Sequence, residues 1–302
     1  MKHGKSEEKS EYALFLGCYI PTRVPSMEKS YRMVLDALGV RLVDMNGASC
    51  CPDPMVVKGI DYKSWLVLAA RNLCLAEEMG LDILTFCNGC FETLKSANTM
   101  LKGNRELRED VNEVLGKVGR EFKGKIEVRH AVEVLNERKE ELKGLVEKPL
   151  TDIAVAVHYG CHLLRPSTIL NVDNPLNPTI LDRIVEEVVG AKSVNYRRKM
   201  WCCGAGARMG DPELSLRVLR EKLVGISKSG ADCIALVCPF CHVQFDTGQI
   251  LIRREFKEDY RIPVLSLPQL VGLAMNLEPK QLAFDLHKVS VAPLLEKIGG
   301  VA

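Results

Sequence analysis

Ten of the twelve cysteines in this 302-residue chain fall into two sets with the same internal order. The first set is Cys18, the adjacent pair Cys50-Cys51, and Cys87 and Cys90 in "CNGC". The second is Cys161, the pair Cys202-Cys203, and Cys238 and Cys241 in "CPFC". The sets lie about 150 residues apart, which marks an internal repeat. Thiolates in such sets hold zinc or iron–sulfur clusters. Either needs four ligands, whereas each set here offers five, one of them doubled. Neighbouring side chains of an extended segment point to opposite sides. An adjacent pair therefore suits two irons of a larger or opened cluster better than one tetrahedral ion. An opened cluster can accept a substrate atom at iron, and sulfur is the soft atom that such a site favours. A lone C-x-x-C can be a thioredoxin-type dithiol, but repetition inside a five-cysteine set argues against that. Cys74, among Leu73, Leu75 and Ala76, and Cys233, in an apolar strand run, read as small core residues.

The elements that must carry these thiols repeat as well. "YALFLG" runs into Cys18 and "IAVAVHYG" into Cys161; "LDILTF" runs into Cys87 and "ADCIALV" into Cys238. All four read as buried strands. "IEVRHAVEVL" and "IPVLSLPQLV" read as a last strand and a helix in each half. Between them the pattern predicts helices over "SMEKSYRMVLDALG" and "SWLVLAARNLCLAEEMG", each with a Ser start and a Gly stop. Further helices are expected over "PTILDRIVEEVVG" from Pro178 and over "DPELSLRVLREKLVGISKSG", the latter capped by Asp211 with Pro212 at its first position. The charged stretch Glu106–Lys125 reads as a solvated helical excursion, and Asn88 and Gly89 as turn residues. Alternating strands and helices give an α/β fold class: two pseudo-repeated domains, residues 11–147 and 148–302, each a small parallel sheet flanked by helices. Loops after the carboxyl ends of parallel strands share one edge, so the thiols of each half are expected to gather on one rim, beside helix N-termini that favour thiolate.

The bulk composition narrows the setting. Net charge is +2 and 26% of residues are charged, which points to neither nucleic acid nor an anionic membrane surface as partner. No apolar run approaches the roughly 20 residues that span a bilayer. The polar start "MKHGKSEEKSEY" reads as a mobile tail and not as a signal peptide, so the expected compartment is the reducing cytoplasm, where thiols ligate metal in preference to forming disulfides.

The arrangement of one Cys, then Cys-Cys, then C-x-x-C, in "FLGCYIPTRVPSMEKS", "GASCCPDP" and "CNGC" and again in "HYGCHLLRPS", "MWCCGAGAR" and "CPFCHVQFD", resembles the cysteine-rich CCG domain. Two copies without a fused ferredoxin segment resemble the B-type subunit of heterodisulfide reductase, from methanogenic archaea and relatives. The resemblance implies two noncubane 4Fe–4S clusters. Cys18, Cys50, Cys51, Cys87 and Cys90 would hold one, and Cys161, Cys202, Cys203, Cys238 and Cys241 the other. It also implies reduction of the mixed disulfide of coenzyme M and coenzyme B, held between the clusters. Electrons would arrive through a ferredoxin-like subunit from a flavin-bearing subunit of the same complex. The chain departs from the family's glycine-rich pattern at Pro52, after the first pair, and at Ala207 and Arg208, after the second.

Cleaving a disulfide takes two electrons and two protons, and two one-electron clusters flanking the bond match that need. His162 and His242, each following a cluster cysteine, are the candidate proton donors, or else tune the clusters by hydrogen bonding. Arg23, Arg165 and Arg208 follow cluster cysteines and are the candidate contacts for anionic ends of the substrate. Two other readings stay open on the residues alone. One is a zinc-stabilised scaffold; the other is an electron-transfer subunit of a related respiratory oxidoreductase. No G-x-G-x-x-G follows a strand, so flavin or dinucleotide chemistry has to come from a partner.

Overall fold

A computed structural model describes residues 11–299. The expected mobile tail, residues 1–10, lies outside the described residues. Among the described residues, eight strands form two parallel sheets of four. β1 (Glu11–Phe15), β2 (Arg41–Asp44), β3 (Ile83–Thr85) and β4 (Val128–His130) stand in the order β2-β1-β3-β4. β5 (Ala154–His158), β6 (Lys192–Ser193), β7 (Cys233–Leu236) and β8 (Val264–Ser266) stand in the order β6-β5-β7-β8. Register is equivalent in the two sheets: Ala13 pairs with Ile83 and Ile83 with Val128, while Ala156 pairs with Ile234 and Ile234 with Val264. β3, β7 and β8 are buried throughout because helices cover both faces, and a strand covered on both sides reads as continuous apolar sequence. In this strand order the chain reverses direction of winding between β1 and β3, and between β5 and β7. The carboxyl ends flanking such a reversal leave a crevice where ligands bind.

Helix starts differ in detail from the periodicity. The helix Tyr62–Met79 is capped by Asp61, whose carboxylate accepts from Ser64 N at 3.0 Å and Ser64 Oγ at 2.6 Å; Ser64 lies inside the first turn. The helix Pro25–Ala37 begins one residue before Ser26, because Pro25 has no N–H to leave unpaired at that position. The expected cap Asp211 holds, accepting from Leu214 N at 2.9 Å ahead of the helix Pro212–Ser227. "PTILDRIVEEVVG" starts helical at Ile180 and widens into a π-turn over Ile184–Val188. The charged stretch is helical only through Gly116, in the helix Arg105–Gly116. Beyond it the chain runs without regular structure, pinned by buried Phe122, whose N donates to Asn112 Oδ1 at 2.8 Å.

One continuous apolar core runs through both halves. The helix Leu267–Ala274, which follows β8, packs on Pro25–Ala37 of the first half. Ser30 Oγ lies 3.4 Å from Ser266 Oγ, and Ala274 O accepts from Glu147 N and Lys148 N. These cross-contacts turn the carboxyl edges of the two sheets toward each other. No helix among the described residues is long and apolar enough to cross a membrane.

Candidate metal centre

Each thiol sits where a strand gives way to a loop or helix. Cys18 and Cys161 follow β1 and β5 through Gly17 and Gly160, whose φ of +69° and +75° favour glycine. A Cβ at Gly17 would stand 2.7 Å from Cys90 Sγ, and one at Gly160 would stand 2.6 Å from Asn88 Nδ2, so the backbone must come this close for the sulfurs to converge. Cys87 caps the helix Asn88–Gly103, and Cys90 lies in its first turn. Cys238 and Cys241 hold the same places on the helix Pro239–Phe256. The pairs Cys50-Cys51 and Cys202-Cys203 ride on loops after the edge strands β2 and β6.

These loops are braced by buried polar side chains. Asn72, at the middle of Tyr62–Met79, donates to Cys50 O at 3.1 Å and accepts from Ser49 N at 3.0 Å. Lys222, the equivalent position after the Asp211 cap, donates to Arg198 O, Lys199 O and Trp201 O at 2.8, 2.9 and 2.8 Å. Thr93 Oγ1 holds Pro52 O at 3.0 Å, and Gln244 Nε2 holds Cys203 O at 3.3 Å.

All ten cysteines of the two sets line one cavity of about 320 Å³ between the sheets. Their thiols interact as a single run of neighbours, Cys18–Cys50–Cys51–Cys90–Cys87 in the first half and Cys238–Cys241–Cys203–Cys202–Cys161 in the second. The run crosses between halves at Cys87–Cys238. Cys203 Sγ and Cys241 Sγ are 3.4 Å apart, and all twelve cysteines are free. Cys74 and Cys233 are buried in the core and do not line the cavity.

The protonation pattern follows from this crowding. Hydrogen bonds from Cys50 and Cys90 bring Cys51 down to about 5, and those from Cys161 and Cys203 bring Cys202 down to about 2. Cys238, receiving from Cys241 and Cys87, is likewise lowered. Their donors are pushed the other way, Cys203 to about 12 and Cys90, Cys161 and Cys241 well up, by bonding to these neighbours and by burial. Ten sulfurs in one cavity cannot all ionise without positive charge among them, and the cavity wall offers no Lys or Arg. A donor set of soft sulfurs that needs internal positive charge fits iron–sulfur ligation. His158 adds to that fit: it lies with Cys203 and Cys241 in a group whose ligand atoms are within 4.8 Å of one another, and both its ring nitrogens are buried without a partner.

The remaining wall is mostly apolar: Leu16, Tyr19, Pro54, Met55, Ala205 and Phe240, with Asp53 the one charged side chain among the described residues. Tyr19 and Phe240 stack across the halves with ring centroids 3.9 Å apart. His162 lines the cavity. His242 does not: its ring is buried edge-on against His287 at 5.0 Å, and burial lowers its pKa to about 3. Side chains on a helix diverge by about 100° per residue, so the residue after Cys241 faces inward when Cys241 faces the cavity. Arg23, Arg165 and Arg208 do not line it either. Arg23, exposed, ends the short helix Tyr19–Arg23, and Arg165 bonds to Pro175 O at 2.9 Å. Arg208 closes the 3-10 turn Ala205–Ala207. Asn88 is not a turn residue. It opens the helix and donates to Tyr159 O of the other half at 2.8 Å. His158, Asn72, Lys222 and Asp53 were not singled out from sequence. Aligning the halves by their caps Asp61 and Asp211 picks out Asn72 and Lys222.

The cysteine-rich domain family CCG matches residues 12–95 and 155–246. The chain is 45% identical to the B-type subunit of the ferredoxin/F(420)H(2)-dependent CoB-CoM heterodisulfide reductase of Methanosarcina acetivorans, over 96% of this chain and 97% of that one. It is 34% identical to the membrane anchor subunit of the 8-methylmenaquinol:fumarate reductase of Wolinella succinogenes, over 95% and 99%. Among solved structures, a hypothetical protein from Helicobacter pylori shares the fold, with a TM-score of 0.77 at 20% identity. That match covers 95% of this chain and 53% of that one, so this chain spans about half its length. With two matched copies of the domain and relatives this similar along nearly its whole length, the chain belongs to the family of B-type heterodisulfide reductase subunits, cysteine-rich CCG iron–sulfur proteins.

Proposed function

We propose that this chain is the disulfide-cleaving subunit of a heterodisulfide reductase. The halves 11–147 and 148–302 would each hold one noncubane 4Fe–4S cluster, on the quintets Cys18, Cys50, Cys51, Cys87, Cys90 and Cys161, Cys202, Cys203, Cys238, Cys241. The observation that carries this reading is the single cavity onto which all ten sulfurs open, with Cys87 of one half touching Cys238 of the other. A disulfide entering there reaches both quintets at once. The reaction is RS–SR′ with two electrons and two protons going to RSH and R′SH. When bound, the clusters supply single electrons and iron with affinity for sulfur. The protein's own part is to admit the S–S bond and its alkyl neighbours along Leu16, Pro54, Met55 and Phe240, and to keep water low around it. His162, which lines the wall, would hand a proton to a departing thiolate. The buried His242 has no such access.

The substrate proposed is the mixed disulfide of coenzyme M and coenzyme B, after the relatives' names. Its charged ends would lie outside the apolar wall, toward Arg23, Arg165 or Arg208. As one component of a reductase complex the chain would receive electrons from a ferredoxin-like subunit and, through it, a flavin-bearing subunit. The test is anaerobic reconstitution with iron and sulfide, followed by thiol release from that disulfide with a reduced dye as donor. Four irons per quintet and stoichiometric release of both thiols are expected; zinc in place of iron, or iron without thiol release, overturns the proposal. The fumarate reductase relative favours a second reading, electron transfer to a partner without disulfide chemistry. In that case the cluster spectra stay unchanged when thiol or disulfide is added.

A further inference from the structure

The two quintets sit in matching loops, but the groups around them carry different charge. Lys222, 1% exposed, points its ammonium at the loop carrying Cys202 and Cys203. Its counterpart in the first half, Asn72, is neutral. His158, 1% exposed, presents unpartnered ring nitrogens beside Cys203 and Cys241; its counterpart, three residues before Cys18, is Phe15. Asp53 lines the cavity two residues after Cys51, where the second half has Ala205. Two further charged groups near the rims are paired: Lys58 with Glu92 at 3.1 Å, and Lys199 with Asp182 at 2.6 Å. All three differences act in the same sense, with the second half more electropositive at its sulfurs.

Resting on the proposed reading that each quintet holds a redox cluster, we infer that the second centre is the more easily reduced of the two, and that Lys222 and His158 make it so. Adding an electron adds negative charge. A cation in a poorly solvated setting stabilises that charge far more than one in water. N–H donors to cluster sulfur act the same way, and hydrogen bonding and net charge are the protein's means of setting such potentials. Burial lowers Lys222 only to about 8, so it stays cationic at neutral pH. His158 is buried beside Cys203 and Cys241, and neither of its ring nitrogens has another partner among the described residues. At the first centre the Asp53 carboxylate opposes reduction, and no buried cation answers it among the described residues. Electrons delivered one at a time therefore occupy the second half first.

The test is a potentiometric titration of the full chain, loaded anaerobically with iron and sulfide and followed by paramagnetic resonance and visible absorption. Two steps are expected, separated by at least tenfold in reduction equilibrium, which is about 59 mV for a one-electron couple. Lys222→Asn, copying the first half, should make the upper step at least tenfold harder to reduce and leave the lower one in place. His158→Phe should move the upper step in the same direction by less. Asp53→Ala should bring the lower step up. Coincident steps in the unaltered chain overturn the inference, as does an upper step unmoved by Lys222→Asn at full iron content. Should Lys222→Asn lose iron because its loop collapses, His158→Phe and Asp53→Ala decide by the same criterion. Failure to load iron at all overturns the proposed function and this inference with it. A full iron complement with coincident potentials overturns the inference alone.

Discussion

The first and second halves solve one problem, holding a doubled cysteine on an edge-strand loop, with different chemistry. In the first half the loop hangs on an amide: Asn72 gives one hydrogen bond to Cys50 O and takes another from Ser49 N. In the second it hangs on an ammonium that satisfies three carbonyls at once. The helix after the fourth strand of each half differs similarly. His130 caps Ala131–Glu137 through Nδ1, accepting from Val132 N at 3.2 Å, where Ser266 caps Leu267–Ala274 with a hydroxyl. A duplicated fold thus keeps its geometry while the polar residues that support it change in charge. What is duplicated is the placement of sulfur, and what diverges is the field around it.

The largest break of this comparison comes from the ligands themselves. Cys51→Ala and Cys203→Ala, made singly, should each remove the iron of one half and abolish disulfide cleavage, with iron per chain falling by about half. Retention of all iron by either variant, read by metal analysis, contradicts the assignment of that quintet. Next are the loop clamps. Lys222→Met takes one buried ammonium away from three carbonyls and should cost about 3–5 kcal/mol, whereas Asn72→Ala should cost about 1–3 kcal/mol. Urea denaturation of the two variants ranks them, and equal losses would mean that the ammonium holds its loop no better than the amide.

The capping difference gives a pH signature. Burial lowers His130 to about 3. The unfolded chain binds this proton near pH 6.5 and the folded chain resists it. The contribution is therefore complete above 6.5 and falls with pH below it, by about 2 kcal/mol on reaching pH 5. His130→Ser, which copies the second half, should flatten that part of the stability profile. An unchanged acid slope in this variant would show that another group sets it. Smaller effects are expected at the seam. Gly160→Ala should exceed Gly39→Ala, which has equally positive φ but open space around it and should cost about 1 kcal/mol. A double-mutant cycle between Tyr19 and Phe240 should return about 0.5–1.5 kcal/mol.

Much of this was readable in the chain. The strands before Cys18, Cys87, Cys161 and Cys238 are short apolar runs, and the cysteine spacing repeats, so two parallel sheets with thiols on their carboxyl rims follow from local pattern. The facing of those rims was not readable. It depends on Leu267–Ala274 packing against Pro25–Ala37 and on Asn88 reaching Tyr159 O, contacts between residues far apart in the chain. The arginines looked suited to an anionic substrate because they follow the cysteines closely, but a single turn was enough to carry Arg23 out of the cavity. His242 sits one residue from a thiol and faces the core. Residue type and proximity in sequence chose these side chains; helix phase turned His242 inward, and the local path of the chain carried the arginines outside the cavity wall. Lys222 and Asn72 act through backbone carbonyls about 20 residues away, which no motif records, although the internal repeat aligns them.

The unbroken run of sulfurs from Cys18 to Cys161 also bears on how the protein comes to be assembled. Before metal arrives, neighbouring thiols in contact, some of them ionised at neutral pH, are prone to air oxidation into many competing cross-links, including one that staples the halves through Cys87 and Cys238. On the proposed function, maturation would have to charge both quintets with iron and sulfide before any oxidant reaches them, and a preparation exposed to oxygen first should yield a colourless, scrambled product that later iron cannot rescue without a reductant.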